Sequence, residues 1–192
     1  MKNILSVLLV SLLLTNSCKS PDDNISSKTT STETKGWKSQ FDATLPILGH
    51  RNWIIVADKA FPQQNAAGME VINTNESLLP VLQYVLQQVN ASAHVKPIIY
   101  QDKELVFITE EQAKGITPFS ADLKKLFAAQ LVQTILHDSV FTKLHEASKL
   151  FKVVVLKTNE TIPYTSVFLQ LDCAYWNGEK EKQLRINMNE KK

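Results

Sequence analysis

The sequence predicts an α/β fold: a mainly parallel central sheet flanked by helices, with a C-terminal β-hairpin added to it. Apolar runs of strand length, such as residues 53–57, alternate along the chain with longer segments whose apolar residues recur every three or four positions. Several of those short runs are continuous instead of alternating, which suits strands covered on both faces. After Lys152 the helical period gives way to a strand-rich last third.

Taken in order, residues 39–48 fit a short helix closed by Gly49, followed by a buried strand at 53–57 and a second strand at 69–72. Asn75 is placed to cap the next helix, in which Leu78, Leu79, Val81, Leu82, Val85, Leu86 and Val89 share one face. A strand follows at 95–100, an extra strand is expected around 105–108, and Ser120 introduces a helix over 121–130. Residues 132–136 read as a strand leading into His137, after which Asp138 or Ser139 caps a helix to about Phe151. Strands at 152–157 and 166–176, the Asn177-Gly178 turn and a return strand at 183–188 complete the hairpin.

Before this domain, Lys2, an apolar run from Ile4 to Leu14 and the small residues ahead of Cys18 have the layout of a secretory signal over residues 1–17. The run is shorter than the roughly 17 to 25 residues of a spanning helix. A small residue followed by Cys resembles a bacterial lipobox, although Thr15 and Asn16 depart from its usual pattern, so Cys18 is expected to carry lipid. Residues 18–36 are nearly devoid of apolar side chains and read as a disordered tether, reaching roughly 25 Å on average. Lys19-Ser20-Pro21-Asp22-Asp23 is similar to the acidic export signal of surface lipoproteins in the Bacteroides group. The expectation is an exported protein held on the outer membrane, on its periplasmic or outer face.

The remainder, 37–192, is of single-domain size. The formal net charge is +2 with acids and bases interspersed, which argues against nucleic acid as a partner. With Cys18 lipidated, Cys173 has no partner for an intrachain disulfide, and its place in the run Val167, Leu169, Leu171, Cys173, Tyr175 suggests a buried strand position.

Most familiar active sites are excluded. The five glycines form no phosphate-cradling loop, and no His-Glu-x-x-His, Cys-x-x-Cys or Gly-x-Ser-x-Gly pattern occurs, so neither metal nor organic cofactor is expected. One dense polar segment remains. Gly49-His50 precedes the buried strand and Asp58 emerges at its carboxyl end, near where open α/β sheets bind ligands. A capping Gly, a surface His and a strand-ending Asp are the plain alternative reading.

Gly49-His50, the apolar strand, Asp58 and Pro62 resemble the opening signature of the ribose pyranase and fucose mutarotase (RbsD/FucU) family. A second match, Thr158-Asn159-Glu160 followed by Pro163-Tyr164-Thr165-Ser166, is similar to that family's Thr-Gly-Glu turn and Tyr-x-Asn segment. The similarity runs from about Gln40 to Leu171. It implies an RbsD-like layered fold, a monosaccharide such as ribose or fucose as ligand, and a homo-oligomer, a pentameric ring or decamer whose sites are completed across subunits.

Carried over residue by residue, the resemblance makes His50 the proton donor and Asp58 a sugar contact. Tyr164 becomes a second acid–base group, with Thr165 and Ser166 beside it at the substrate. The family's basic residue before its last long helix falls on His137 in preference to His145, which lies inside the helix; His94 matches nothing. The family Asn is Ser166 here, which removes the amide's paired donor and acceptor. The family Gly is Asn159, which tolerates a left-handed turn, and Lys59 replaces a small residue, where it would pair with Asp58 or enter the pocket.

These assignments imply cofactor-independent interconversion of sugar anomers or ring forms. One group protonates the ring oxygen while another takes the anomeric proton, a task suited to imidazole near neutrality. His50 and Tyr164 fill these roles, with Asp58 and His137 holding hydroxyls. The rival readings are a non-catalytic sugar-binding lipoprotein of the same fold and a purely structural lipoprotein.

Overall fold

The computed structural model describes residues 36–190. The expected signal segment, Cys18 and residues 19–35 of the tether lie outside the described residues.

Six strands, β1 (Trp53–Ala57), β2 (Met69–Asn73), β3 (Val95–Asp102), β4 (Val132–Ile135), β5 (Val153–Lys157) and β6 (Val167–Cys173), form one sheet in the order β2-β5-β1-β6-β3-β4. Five run parallel, and β6 alone is antiparallel to its neighbours β1 and β3. The reversal follows from chain length. Only residues 158–166 separate β5 from β6, and a parallel crossover needs a dozen or more. β6 therefore returns in the opposite direction on the far side of β1, so that β5 and β6 are consecutive antiparallel strands with β1 lying between them.

Helices cover both faces of this sheet. On one side pack α1 (Trp37–Thr44), α2 (Leu78–Ala91) and α3 (Ile116–Leu126), against Ile54 and Val56 of β1, Val154 and Leu156 of β5, and Val167, Leu169 and Leu171 of β6. On the other, Val140 and Leu144 of α4 (His137–Ser148) meet Trp53, Ile55, Val153, Val155 and Phe168. Every residue of β1 is at most 3% exposed, which explains its unbroken apolar sequence. Each such large side chain contributes about 1.5–3 kcal/mol by leaving water. At Gly68 the chain passes so close to the end of α4 that a Cβ would strike the carbonyl oxygens of Ser148 and Phe151.

The mostly parallel, helix-flanked sheet is the predicted class, with local corrections. Residues 105–108 form no strand: Lys103–Phe107 is a 3₁₀ turn with only Leu105 buried, and the β3 edge is taken by β4. α3 starts earlier than expected because Gly115, in the left-handed region at φ 92°, turns the chain into it, while the Glu110 carboxylate accepts from the amides of Gly115 and Thr117. Ser77, not Asn75, stands at the N-cap of α2, and Leu136, not Asp138 or Ser139, at that of α4. The return strand expected at 183–188 is instead part of α5 (Gly178–Glu190), with Leu184, Ile186 and Met188 each 40–50% exposed. Their alternation finds no sheet to face, and Glu179, Lys180, Glu181, Lys182, Gln183 and Arg185 of the same segment are good helix formers. Cys173 is half-buried at the end of β6, not within the core.

Candidate active site

Because β6 runs against its neighbours, its start lies beside the carboxyl ends of β1 and β3, with that of β5 next beyond β1. Asp58 follows β1, Asp102 ends β3, His137 opens α4 just after β4, and the 158–166 connection closes over them. This is the edge at which parallel α/β sheets present ligand-binding groups.

The connection is shaped by its own side chains. Thr158 donates its hydroxyl to the Ala57 carbonyl at 2.7 Å, tying the turn to the end of β1. The Glu160 carboxylate accepts from the amides of Thr161 and Ile162, both at 2.9 Å, and the Thr165 hydroxyl donates to the Ile162 carbonyl at 2.7 Å. Between these anchors Tyr164 sits at φ 58°, a left-handed conformation that costs a non-glycine residue roughly 1–2 kcal/mol. Its ring stands edge-on to the His137 imidazole, with centroids 5.1 Å apart.

Asp58 is gripped by Ser166, whose hydroxyl accepts from the Asp58 amide at 3.0 Å and donates to its carboxylate at 2.8 Å; the second carboxylate oxygen accepts from the Ala60 amide at 2.9 Å. Across the cavity His137 is held at several points. Its backbone amide donates to both oxygens of Glu104 at 3.1 Å, which caps and charge-complements the start of α4. Its ring rests 4.7 Å from Phe141 and bonds through Nδ1 to the Asp102 carboxylate at 2.8 Å.

Asp102 has a fully buried side chain, and its second oxygen finds no partner among the described residues. Burial pushes its carboxyl up to about 6, opposed by the hydrogen bond and charge of His137 and reinforced by Glu104 and Asp58.

Asp58, Phe61, His137, Phe141, Pro163 and Tyr164 line a cavity of about 240 Å³. That is below the ~300–1,000 Å³ of cavities for drug-sized ligands. Carboxylate and imidazole can bond hydroxyls while the rings meet an apolar face, a combination that suits a small polyol. Larger hollows lie elsewhere. One of about 460 Å³ between the 103–107 turn and α3 has Lys124 as its only ionisable group, and lacks the converging acids and imidazole seen here.

The predicted residues divide into two places. Asp58, His137, Tyr164 and Ser166 come together, although Ser166 faces Asp58 and the Thr165 hydroxyl proton is committed to backbone. His50 lies at the opposite end of β1, exposed in a hollow of about 470 Å³ with Asp172, Cys173 and Trp176. From Trp53 to Ala57 alone the strand interposes about 13 Å. His145 is exposed on α4. His94 is structural, with Nδ1 bonded to Ser92 at 2.8 Å and Nε2 to the Leu48 carbonyl at 3.0 Å. Lys59 neither pairs with Asp58 nor enters the cavity; it donates to Asn159 at 2.9 Å. Asp102 and Glu104 are the residues that sequence reasoning missed. Asp102 carries the signal used for Asp58, an acid just beyond a buried apolar run.

The profile of the RbsD / FucU transport protein family matches residues 35–173 of the chain. No curated protein matches it. Among solved structures, RbsD of Bacillus subtilis, complexed with D-ribose, is 21% identical over 69% of this chain and 90% of that one, with a TM-score of 0.49. The fucose mutarotase of Streptococcus pneumoniae, in complex with L-fucose, is 18% identical over 68% and 89%, at 0.48. FucU of Bifidobacterium longum is 16% identical over 69% and 92%, at 0.45.

Proposed function

From the premise that this chain belongs to the RbsD / FucU transport protein family, we propose that it interconverts the anomers or ring forms of a free monosaccharide such as ribose or fucose. The observation that carries this reading is the convergence of Asp58, His137 and Tyr164 on one small cavity, each standing in a segment matched to the family. Ring opening breaks the bond between the anomeric carbon and the ring oxygen. The ring oxygen gains a proton as the anomeric hydroxyl loses one, and closure on the other face reverses both transfers. His50 is the principal acid–base group and Tyr164 its counterpart, with Asp58 and His137 holding hydroxyls.

Within one chain His50 stands away from that cavity. It therefore serves the cavity of a neighbouring copy in a homo-oligomer, either one pentameric ring or a decamer. Lipid on Cys18 places this assembly at the outer membrane of an exporting cell; incorporation of labelled fatty acid that disappears in Cys18→Ala tests the anchor.

NMR saturation transfer between anomers of ribose, fucose and a panel of hexoses tests the activity. Exchange accelerated by the protein and lost in His50→Ala is the expected result; no acceleration with any sugar would overturn it. A non-catalytic sugar binder is the second reading, favoured by the engagement of Ser166 with Asp58. It requires a sugar-dependent rise in melting temperature without faster exchange.

A further inference from the structure

We propose that Asp102 is a positioning residue: its carboxylate fixes His137 as the Nδ1–H tautomer and presents Nε2 to the cavity as an acceptor for a ligand hydroxyl. That the hydroxyl belongs to a sugar rests on the function proposed above; the tautomer does not.

The geometry makes the assignment. Asp102 Oδ2 lies 2.8 Å from His137 Nδ1, and an ionised carboxylate only accepts, so Nδ1 must carry the proton. In a neutral ring Nε2 is then bare. The imidazole is 36% exposed whereas the Asp102 side chain is wholly buried, so the ring's open part is what reaches the cavity. Phe141 and Tyr164 pack against the ring and oppose its rotation, and the Glu104 carboxylate fixes the backbone amide that carries it.

Among the described residues the Asp102 side chain makes no other bond. Oδ1 is buried and unpartnered, and the groups that face the carboxyl are His137 from α4, Glu104 from the 3₁₀ turn and Asp58 from the end of β1. A residue serving packing alone would be better apolar, since a buried carboxylate with one partner opposes folding. Its single bond instead sets the polarity of the one imidazole in the cavity. Asp58 and His137 then both offer acceptors, so the ligand must supply two hydroxyl donors at this wall.

The test is ¹⁵N NMR of the imidazoles in the full-length, histidine-labelled chain in detergent at pH 8, where four histidines keep assignment tractable. The wild type is expected to show His137 protonated at Nδ1. Asp102→Asn, whose amide can donate to Nδ1, is expected to move the proton to Nε2, and Asp102→Glu to restore the native form in part. His50, His94 and His145 serve as internal reports on the fold. An Nε2–H tautomer in the wild type, or one unchanged in Asp102→Asn, would overturn the proposal; so would Asp102→Asn merely lowering the melting temperature. In the same samples the Kd for a responsive sugar is expected to rise about 10- to 100-fold in Asp102→Asn, as for a lost charge-assisted bond. If no sugar binds the wild type, the proposed function fails while the tautomer still decides the role of Asp102.

Discussion

The Ser166 hydroxyl holds Asp58 at two points, accepting from its backbone amide and donating to its carboxylate. Ser166 is 1% exposed, so its hydroxyl is shielded from bulk water. Ser166→Ala is expected to cost roughly 1–3 kcal/mol in urea unfolding, because the Asp58 amide loses its acceptor. In a double-mutant cycle with Asp58→Asn the two changes should couple by about 1 kcal/mol or more. Strict additivity would mean that the contact does not hold Asp58 in place.

How much of this was legible in the sequence depends on what each residue's neighbours decide. β1 and α2 could be read because their signals are local: an unbroken apolar run, and Leu and Val at helical spacing. The 183–188 segment could not, since alternation there describes a half-buried strand only if a sheet edge awaits it. The motif residues Asp58, Tyr164 and Ser166 were legible one at a time. That Ser166 would bond Asp58, 108 positions away, depends on β6 pairing with β1. The separation of His50 from Asp58 is a matter of strand direction: a residue before a strand and one after it cannot share an end. Asp102 was missed because an acid ending a strand is common, and its importance comes from the burial of its side chain against His137.

Two histidines on α4 compete for the cavity, and the structure distinguishes them. His137 lines it between Phe141 and Tyr164, and His145 is exposed two turns further along the helix. His137→Ala should abolish a sugar-dependent melting shift, with His145→Ala leaving both the shift and the stability within about 0.5 kcal/mol of wild type. Equal effects of the two substitutions would remove His137 from the site.

The raised Asp102 carboxyl predicts a pH dependence with a definite sign. Its ordinary value is 3.8 and in the folded protein it is about 6, so the folded state binds the extra proton between those values. That contribution to stability is fully present below about pH 3.8 and is lost as pH rises through about 6. The shift corresponds to up to about 3 kcal/mol. Urea unfolding at intervals from pH 4 to 7 should show the stability of wild type relative to Asp102→Asn declining across this window. Parallel profiles would mean that the carboxyl titrates in the folded state as it does unfolded.

The last prediction concerns where His50 acts. If each site takes His50 from one copy and Asp58, His137 and Tyr164 from its neighbour, two inactive variants repair one another. His50→Ala and His137→Ala, each without activity alone, are unfolded together and refolded as an equal mixture. A site is intact when the copy giving His50 is of the second type and its neighbour of the first, so random assembly should restore about a quarter of wild-type exchange. A site built within one chain gives none, since every chain carries a lesion. Saturation transfer on the mixture therefore separates the two arrangements, and a sedimentation profile of the same sample shows whether the copies have assembled.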